Sequence, residues 1–257
     1  MTTFDILTLF PDFFISPLKE SILGKAQEKG LIQVRVHNIR DFTKDKHHIT
    51  DDSPFGGGAG MVLKPAPVVE ALEKTKDCQR GSHSILLTPQ GKIFTQKVAE
   101  DLINFSQIIL ICGRYEGVDE RIRHFVDQEI SLGDFILNGG EAAALVIVEV
   151  ISRFIPGVLG KEESSLSDSF SAGLLEYPHY TRPRDFRGFT VPDVLISGHH
   201  KAITRWRLRE SLKRTLLRRP DLLENKKLSS EERELLEDIK QELNSLQEKR
   251  YESIGDN

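Results

Sequence analysis

Apolar positions in the first 150 residues fall in short, nearly continuous runs: FDILTLF at 4–10, HSILLTP at 83–89 and QIILICG at 107–113. Runs of this length suit strands covered on both faces, as parallel strands between helical layers are. An α/β architecture with a mostly parallel sheet is therefore predicted. Between the runs the apolar spacing changes to helical. Pro17 to Lys29 reads as a first helix stopped at Gly30, and KPAPVVEALEKTK as a second beginning near Pro65. TQKVAEDLINF reads as a third, with Val98, Leu102 and Phe105 on one stripe and Thr95 as its cap. A fourth helix follows Gly140 and is the most apolar, with Leu145, Val146, Val148 and Ile151 leaving little polar surface. It is expected in a core or against a partner subunit.

After IPGVLG the texture changes. Gly160 to Gly173, GKEESSLSDSFSAG, is polar, serine-rich and bounded by glycines, the composition of a flexible linker. Three segments are expected: an α/β domain over 1–160, a linker over 161–173, and a smaller helical domain over 174–257. The last of these ends in a charged amphipathic helix over Leu228–Arg250. Leu235, Ile239, Leu243 and Leu246 form its buried stripe, and Ser229 or Ser230 its cap.

Composition sharpens this picture at one place. The whole chain of 257 residues carries a formal charge of -4, which gives no global sign of a polyanion-binding protein. Yet Arg182 to Arg219 holds eleven Lys or Arg against three acids, a local formal charge of +8. Tyr177, Tyr180, Phe186, Phe189 and Trp206 lie in or beside that segment. Arginines for phosphates and aromatic faces for unstacked bases are what single-stranded RNA loops invite. The two cysteines, Cys78 and Cys112, have no metal-ligand spacing and suit a reducing cytosol. The amino terminus has neither a basic n-region nor a cleavage pattern, and the run AAALVIVEVI is too short to span a bilayer.

Three glycine-bearing loops leave strand ends: TPQGKIFTQ, CGRYEGVDERI and, after a short fourth strand, SLGDFILNGGE. In open α/β sheets ligands bind at such ends, so the three together predict a crevice. None matches GxGxxG or GxxxxGK[ST], which disfavours a dinucleotide fold of the usual kind and a P-loop NTPase. A paired glycine such as Gly139–Gly140 serves either a tight turn or a loop built around a small molecule. In ITDDSPFGGGAGMVLKPAP, Gly56, Gly57, Gly58 and Gly60 either drape over a ligand or admit another chain. Adjacent histidines, 47–48 and 199–200, lack metal-ligand spacing, and neither HExxH nor GxSxG occurs. Asp168 in the serine-rich segment, Arg153 at a helix end and Glu116 beside Gly117 each read singly as ordinary solvated charges.

Taken jointly, FDILTLFP, DDSPFGGGAGMVLKP, LLTPQGKIFTQ, ICGRYEGVDERI, EISLGDFILNGGEAAA and SLSDSFSAGLLEYPHYTRPRDFRGFTVPDVLISGHHKAITRWR resemble the bacterial tRNA (guanine-N1)-methyltransferases of the knotted SPOUT class. The resemblance covers residues 1–223. It implies a deep trefoil knot in the amino-terminal domain, S-adenosylmethionine as methyl donor, and guanosine 37 of tRNA, immediately 3′ to the anticodon, as target. Cofactor contacts carry over to Pro89 and Gly91; to Gly113, Tyr115, Glu116 and Gly117; and to Ile130, Ser131, Gly133, Leu137, Gly139 and Gly140. Asp168 is implied as general base, Arg153 as the group near the guanine O6, and Glu116 as a contact to the guanine edge or to Mg²⁺. The resemblance also implies a Mg²⁺ requirement, but the sequence holds no cage of carboxylates, so no metal ligand is assigned.

Family members are cytoplasmic homodimers with active sites formed across the interface, and Arg182, Arg184, His199, Arg205 and Arg207 are implied to hold the anticodon stem-loop. Phe135 stands where many relatives carry tyrosine, which removes a hydroxyl. Two competing readings remain. One is a SPOUT enzyme acting on ribosomal RNA or a ribose 2′-hydroxyl; the other is an RNA-binding protein that uses the knot as a scaffold.

Overall fold

The computed structural model describes residues 1–77, 81–160, 168–224 and 226–255, with side chains to 245. Cys78 and most of the serine-rich segment, 161–167, lie outside the described residues. The chain divides into two compact units, Met1–Glu162 and Glu163–Asn257.

The first unit is built on a five-stranded parallel sheet. Its strands are β1 (Thr2–Thr8), β2 (Ile32–Asn38), β5 (Ser82–Ile93), β6 (Gln107–Cys112) and β7 (Gln128–Ser131), in the order β2-β1-β6-β5-β7. A short hairpin, β3 (Asp51–Asp52) with β4 (Val62–Leu63), stands apart from it. The runs read as doubly covered strands are so. In β6, Ile108, Leu110 and Cys112 enter one core, and Ile109 and Ile111 enter the other. Helices α1 (Ser21–Glu28), α3 (Gln96–Leu102) and α4 (Glu141–Ser152) fill the first core. Helix α2 (Pro65–Thr75) fills the second with Val68, Ala71 and Leu72.

Two local features differ from the periodicity. The segment read as one helix from Pro17 to Lys29 is a 3-10 turn, Pro17–Lys19, followed by α1, with Ser21 in left-handed backbone at φ 52°. Leu18 and Leu23 are both buried. On one continuous helix they would lie about 140° apart, and the break lets both reach the same core. The second is β2, IQVRVHN, a period-2 edge strand with only Ile32 fully buried, which a search for continuous apolar runs passes over. Thr95 does cap α3, its hydroxyl accepting from the Val98 amide at 3.3 Å.

Asp5 is fully buried beneath the edge of the sheet. It accepts from Arg35 at 2.7 and 2.6 Å and from Gln107 at 2.7 Å, and meets His37 Nε2 at 2.6 Å. Burial pushes its pKa up, but the bonds to His37, Arg35 and Gln107 outweigh this and leave it below the ordinary 3.8. A depressed carboxylate contributes stability that is present above its unfolded pKa and lost as pH falls through the folded one. Asp5→Asn is therefore expected to cost about 3 kcal/mol near neutral pH, the lower end for a broken buried pair because Arg35 is half-exposed. Denaturant melts of the variant should also depend less on pH below about 4 than those of the wild type. Equal pH dependence of the two proteins would remove Asp5 from the acid response.

The second unit packs α5 (His200–Arg218) against α6 (Ser230–Gly255) around Leu174, Leu212, Leu235 and Ile239, with Leu243 partly buried. The side chain of Leu246 lies outside the described residues. Ser229 is the cap: its hydroxyl accepts from the Glu232 amide at 3.1 Å, and the Glu232 carboxylate accepts from the Ser229 amide at 2.7 Å. Ahead of α5 lies a small hairpin of β8 (Asp185–Phe186) and β9 (Phe189–Thr190). No helix among the described residues is long and apolar enough to cross a membrane.

Candidate functional site

Loops leaving the carboxyl ends of β5, β6 and β7 converge on a half-open cavity of about 420 Å³, a size suited to a small organic ligand. Pro89, Gly113, Tyr115, Glu116, Gly117, Ile130, Ser131, Gly133, Leu137, Gly139 and Gly140 all line it. The lining also includes Leu86, Leu87, Leu132 and Ala143, which supply apolar walls, and Arg114 and Asn138, which the motif reading passed over. Phe135 lines it too, and its ring lies where a Cβ on Gly133 would come within 2.9 Å.

Gly91 is the exception, for it is not among the lining residues. β5 pairs with Ile130 twice, through Leu87 and again through Lys92, so residues 88–91 form a bulge in β5 opposite β7. Gly91 is pressed on that strand, and a Cβ there would lie 2.5 Å from the Glu129 carbonyl carbon. The two backbones approach so closely there that no side chain fits at residue 91.

Gly140 answers the question of the paired glycines in part. Its φ of -75° is open to any residue, so conformational freedom is not what it provides. A Cβ would instead sit 2.7 Å from Cys112 Cα, and the Gly140 amide donates to the Gly113 carbonyl at 2.9 Å. The third loop is thus laid directly on the second. In that second loop Tyr115 adopts left-handed backbone, φ 59°, which a bulky side chain rarely does and which clusters at ligand sites. Cys112 beneath is inert: burial pushes its thiol pKa well up, the Glu141 charge pushes it further, and Arg114 opposes both.

The glycine-rich segment also has a defined neighbour. The Glu116 amide donates to the Met61 carbonyl at 3.1 Å and Leu63 to Gly117 at 3.0 Å, while a Cβ on Gly60 would lie 2.5 Å from Glu116 Cγ. Gly60 leaves room for the Glu116 side chain beside the cavity mouth.

Arg153 and Asp168 are not among the lining residues. Arg153 is the C-cap of α4, whose first turn touches the cavity through Ala143. Arg153 follows Gly140, the N-cap, by thirteen residues, so at ~1.5 Å per residue it lies about 20 Å along the helix axis from it. Asp168 belongs to the second unit, in a turn whose carbonyl accepts from the Ser171 amide at 3.2 Å. Among the described residues no group of three or more His, Cys, Asp or Glu is placed to hold a metal ion.

Arg182, Arg184, His199, Arg205 and Arg207 are all exposed in the second unit. His199 caps α5 through Nδ1, Arg207 lies over the Tyr177 ring at 4.8 Å, and Tyr180 neighbours Trp206 at 6.4 Å. The local charge of +8 is partly neutralised by acids outside it. Lys213 meets Glu242 at 2.8 Å, Arg209 pairs with the same carboxylate, Arg205 reaches Glu234 at 3.2 Å and Arg219 meets Asp221 at 2.7 Å. Arg184 is paired inside the segment, with Asp193 at 2.8 Å.

The model of tRNA (Guanine-1)-methyltransferase TrmD matches residues 2–225. This chain belongs to that family. It is 58% identical to the tRNA (guanine-N(1)-)-methyltransferase of Geotalea uraniireducens over 237 residues, covering 92% of this chain and 96% of that protein. It is 54% identical to the protein so named in Dictyoglomus turgidum, over 95% of this chain and 98% of the relative. Against the Bacillus cereus protein of that name the identity is 56%, over 93% and 98%. Membership in the family makes this chain a methyltransferase dependent on S-adenosylmethionine.

Proposed function

We propose that this chain transfers a methyl group from S-adenosylmethionine to N1 of guanosine 37 in tRNA, forming 1-methylguanosine. The observation that carries the reading is the convergence of the three loops on one cavity in a chain matched by the family model over residues 2–225. The cavity suits the donor. Apolar walls from Leu87, Ile130 and Leu132 would face the adenine, and the lack of side chains at Gly139 and Gly140 would let it approach the loop backbone closely. When bound, the donor supplies an activated methyl on a sulfonium.

The protein's part is alignment and proton removal. Asp168 would accept the N1 proton of guanine, and Arg153 would stabilise the charge that develops on O6. Glu116, beside the cavity mouth, would meet the guanine edge. The reading assigns Asp168 of the partner subunit to each cavity. The site then forms only in a homodimer, and the apolar face of α4, with Val146 exposed, is consistent with that. The reading also includes a trefoil knot, supported by the family match over residues 2–225 and the five-stranded parallel sheet. Exposed Arg182, Arg184, His199, Arg205 and Arg207, with Tyr177 and Trp206 among them, would hold the anticodon stem-loop. No residue is assigned to Mg²⁺.

Labelled S-adenosylmethionine with unmodified tRNA transcripts tests the reading. One-methylguanosine is expected on a transcript bearing guanosine 37 and not on its adenosine counterpart. A different methylated nucleoside would redirect the target to another RNA atom, and tight tRNA binding without transfer would leave an RNA-binding protein.

A further inference from the structure

Two residues of the motif strings to which no role has been assigned, Arg114 and Glu141, form an ion pair at the cavity wall. Glu141 is the first residue of α4, and its side chain is 1% exposed. One carboxylate oxygen accepts from the Thr8 hydroxyl at 2.8 Å, and the other lies 3.0 Å from Arg114 Nε. Arg114 then donates from Nη1 to the Asn138 carbonyl at 3.1 Å, and its guanidinium stacks on Phe10 at 4.3 Å. Gly139 is threaded between the partners: a Cβ there would lie 2.6 Å from both Arg114 Cδ and the Glu141 carboxylate. One network therefore spans the end of β1, the loop after β6 and the loop after β7.

A buried carboxylate is a poor way to gain stability, since desolvation offsets most of its attraction and apolar packing commonly does as well. What such a pair does well is define one arrangement of the groups it joins. Here it joins two of the three loops that form the cavity, with Arg114 and Asn138 themselves on the cavity wall. At the first turn of α4 the charge is further favoured by the helix dipole.

We infer that Glu141, acting through Arg114, is a positioning residue that sets the spacing of the second and third loops and hence the affinity for S-adenosylmethionine. This rests on the methyl-donor reading of the cavity. Neither side chain is required to touch the reacting atoms, so the effect falls on cofactor binding and not on the chemical step. Thr8 extends the device to the first strand by fixing the second carboxylate oxygen.

The experiment is a double-mutant cycle of Glu141→Gln and Arg114→Gln, read by calorimetric titration with S-adenosylmethionine and by steady-state methyl transfer. Glu141→Gln keeps the shape and the Thr8 contact. Each single variant is expected to weaken cofactor binding roughly tenfold to a hundredfold, as loop misplacement of this kind does, with kcat at saturating cofactor within about threefold of wild type. The double variant should bind about as well as either single one, because the pair acts as a unit. Unchanged affinity in a folded Glu141→Gln variant, even with a lower Tm, would overturn the inference, as would strictly additive losses. Should Glu141→Gln fail to fold, Arg114→Lys decides. It keeps the charge but cannot reach Glu141 and Asn138 together, so wild-type affinity in that variant is equally fatal. A wild-type protein that binds no S-adenosylmethionine would instead remove the reading on which the inference rests.

Discussion

Asp168→Ala is expected to lower kcat by about 10²–10⁴, the usual worth of a positioned general base, while S-adenosylmethionine and tRNA bind as to wild type. The expectation follows from the chemistry. N1 of guanine carries a proton that must leave as the nitrogen attacks the methyl, and among the proposed site residues only Asp168 and Glu116 are carboxylates. Glu116 is packed beside Gly60 in the cavity-forming unit, whereas Asp168 is in the second unit, where it would come to the substrate with the RNA-holding surface. Single-turnover rates across a range of pH separate the two. Loss of a rate-limiting ionisation in Asp168→Ala marks the base, and wild-type turnover in that variant transfers the role elsewhere. A mixture of Asp168→Ala and Arg153→Ala chains adds a geometric arm. If Arg153 and Asp168 of one site come from different chains, mixed dimers keep one intact site and recover activity that neither variant has alone; if both come from the same chain, each site carries one substitution and no activity is recovered.

Gly140→Ala is expected to act more globally. The added methyl would meet Cys112 Cα at 2.7 Å, where the obstacle is the backbone of a central strand and not a movable side chain. Overpacking of this kind costs about 1–3 kcal/mol. Relief requires the third loop to lift from Gly113, breaking the 2.9 Å bond between Gly140 and Gly113 and opening the cavity. Cofactor affinity should fall by roughly two orders of magnitude, as for a displacement near 1 Å in a preorganised site, with a fall in Tm of several degrees. Titration and thermal melts check both. A normal Kd with a lowered Tm would make the paired glycine a packing device alone. Gly139→Ala meets Arg114 and Glu141 side chains instead, and the milder outcome expected there is a control for the difference between backbone and side-chain obstruction.

Much of this protein is written in local pattern. The apolar runs that became β1, β5 and β6 are legible because a strand covered on both faces needs an apolar side chain at nearly every position. Caps at Thr95 and Ser229 are legible because a hydroxyl bonding an amide three residues on is settled within one turn. The motif strings carried the family and the residues lining the cavity, since each loop brings its own glycines.

What tertiary structure alone decided are relations between segments far apart in the chain. Gly91 has the look of a ligand-loop glycine, but it is a point of close approach to the backbone of Glu129 and Ile130. Gly60 makes room for Glu116, and Glu141 in an apolar helix is the partner of Arg114 and Thr8. The basic segment announced eleven cations, yet Glu234 and Glu242 on α6 bind three of them, which no count within the segment reveals. The physical reason is the same each time. Side-chain periodicity reports burial within a few residues, whereas the order β2-β1-β6-β5-β7 and the crossing of the loops at its ends determine which distant charges and backbones meet.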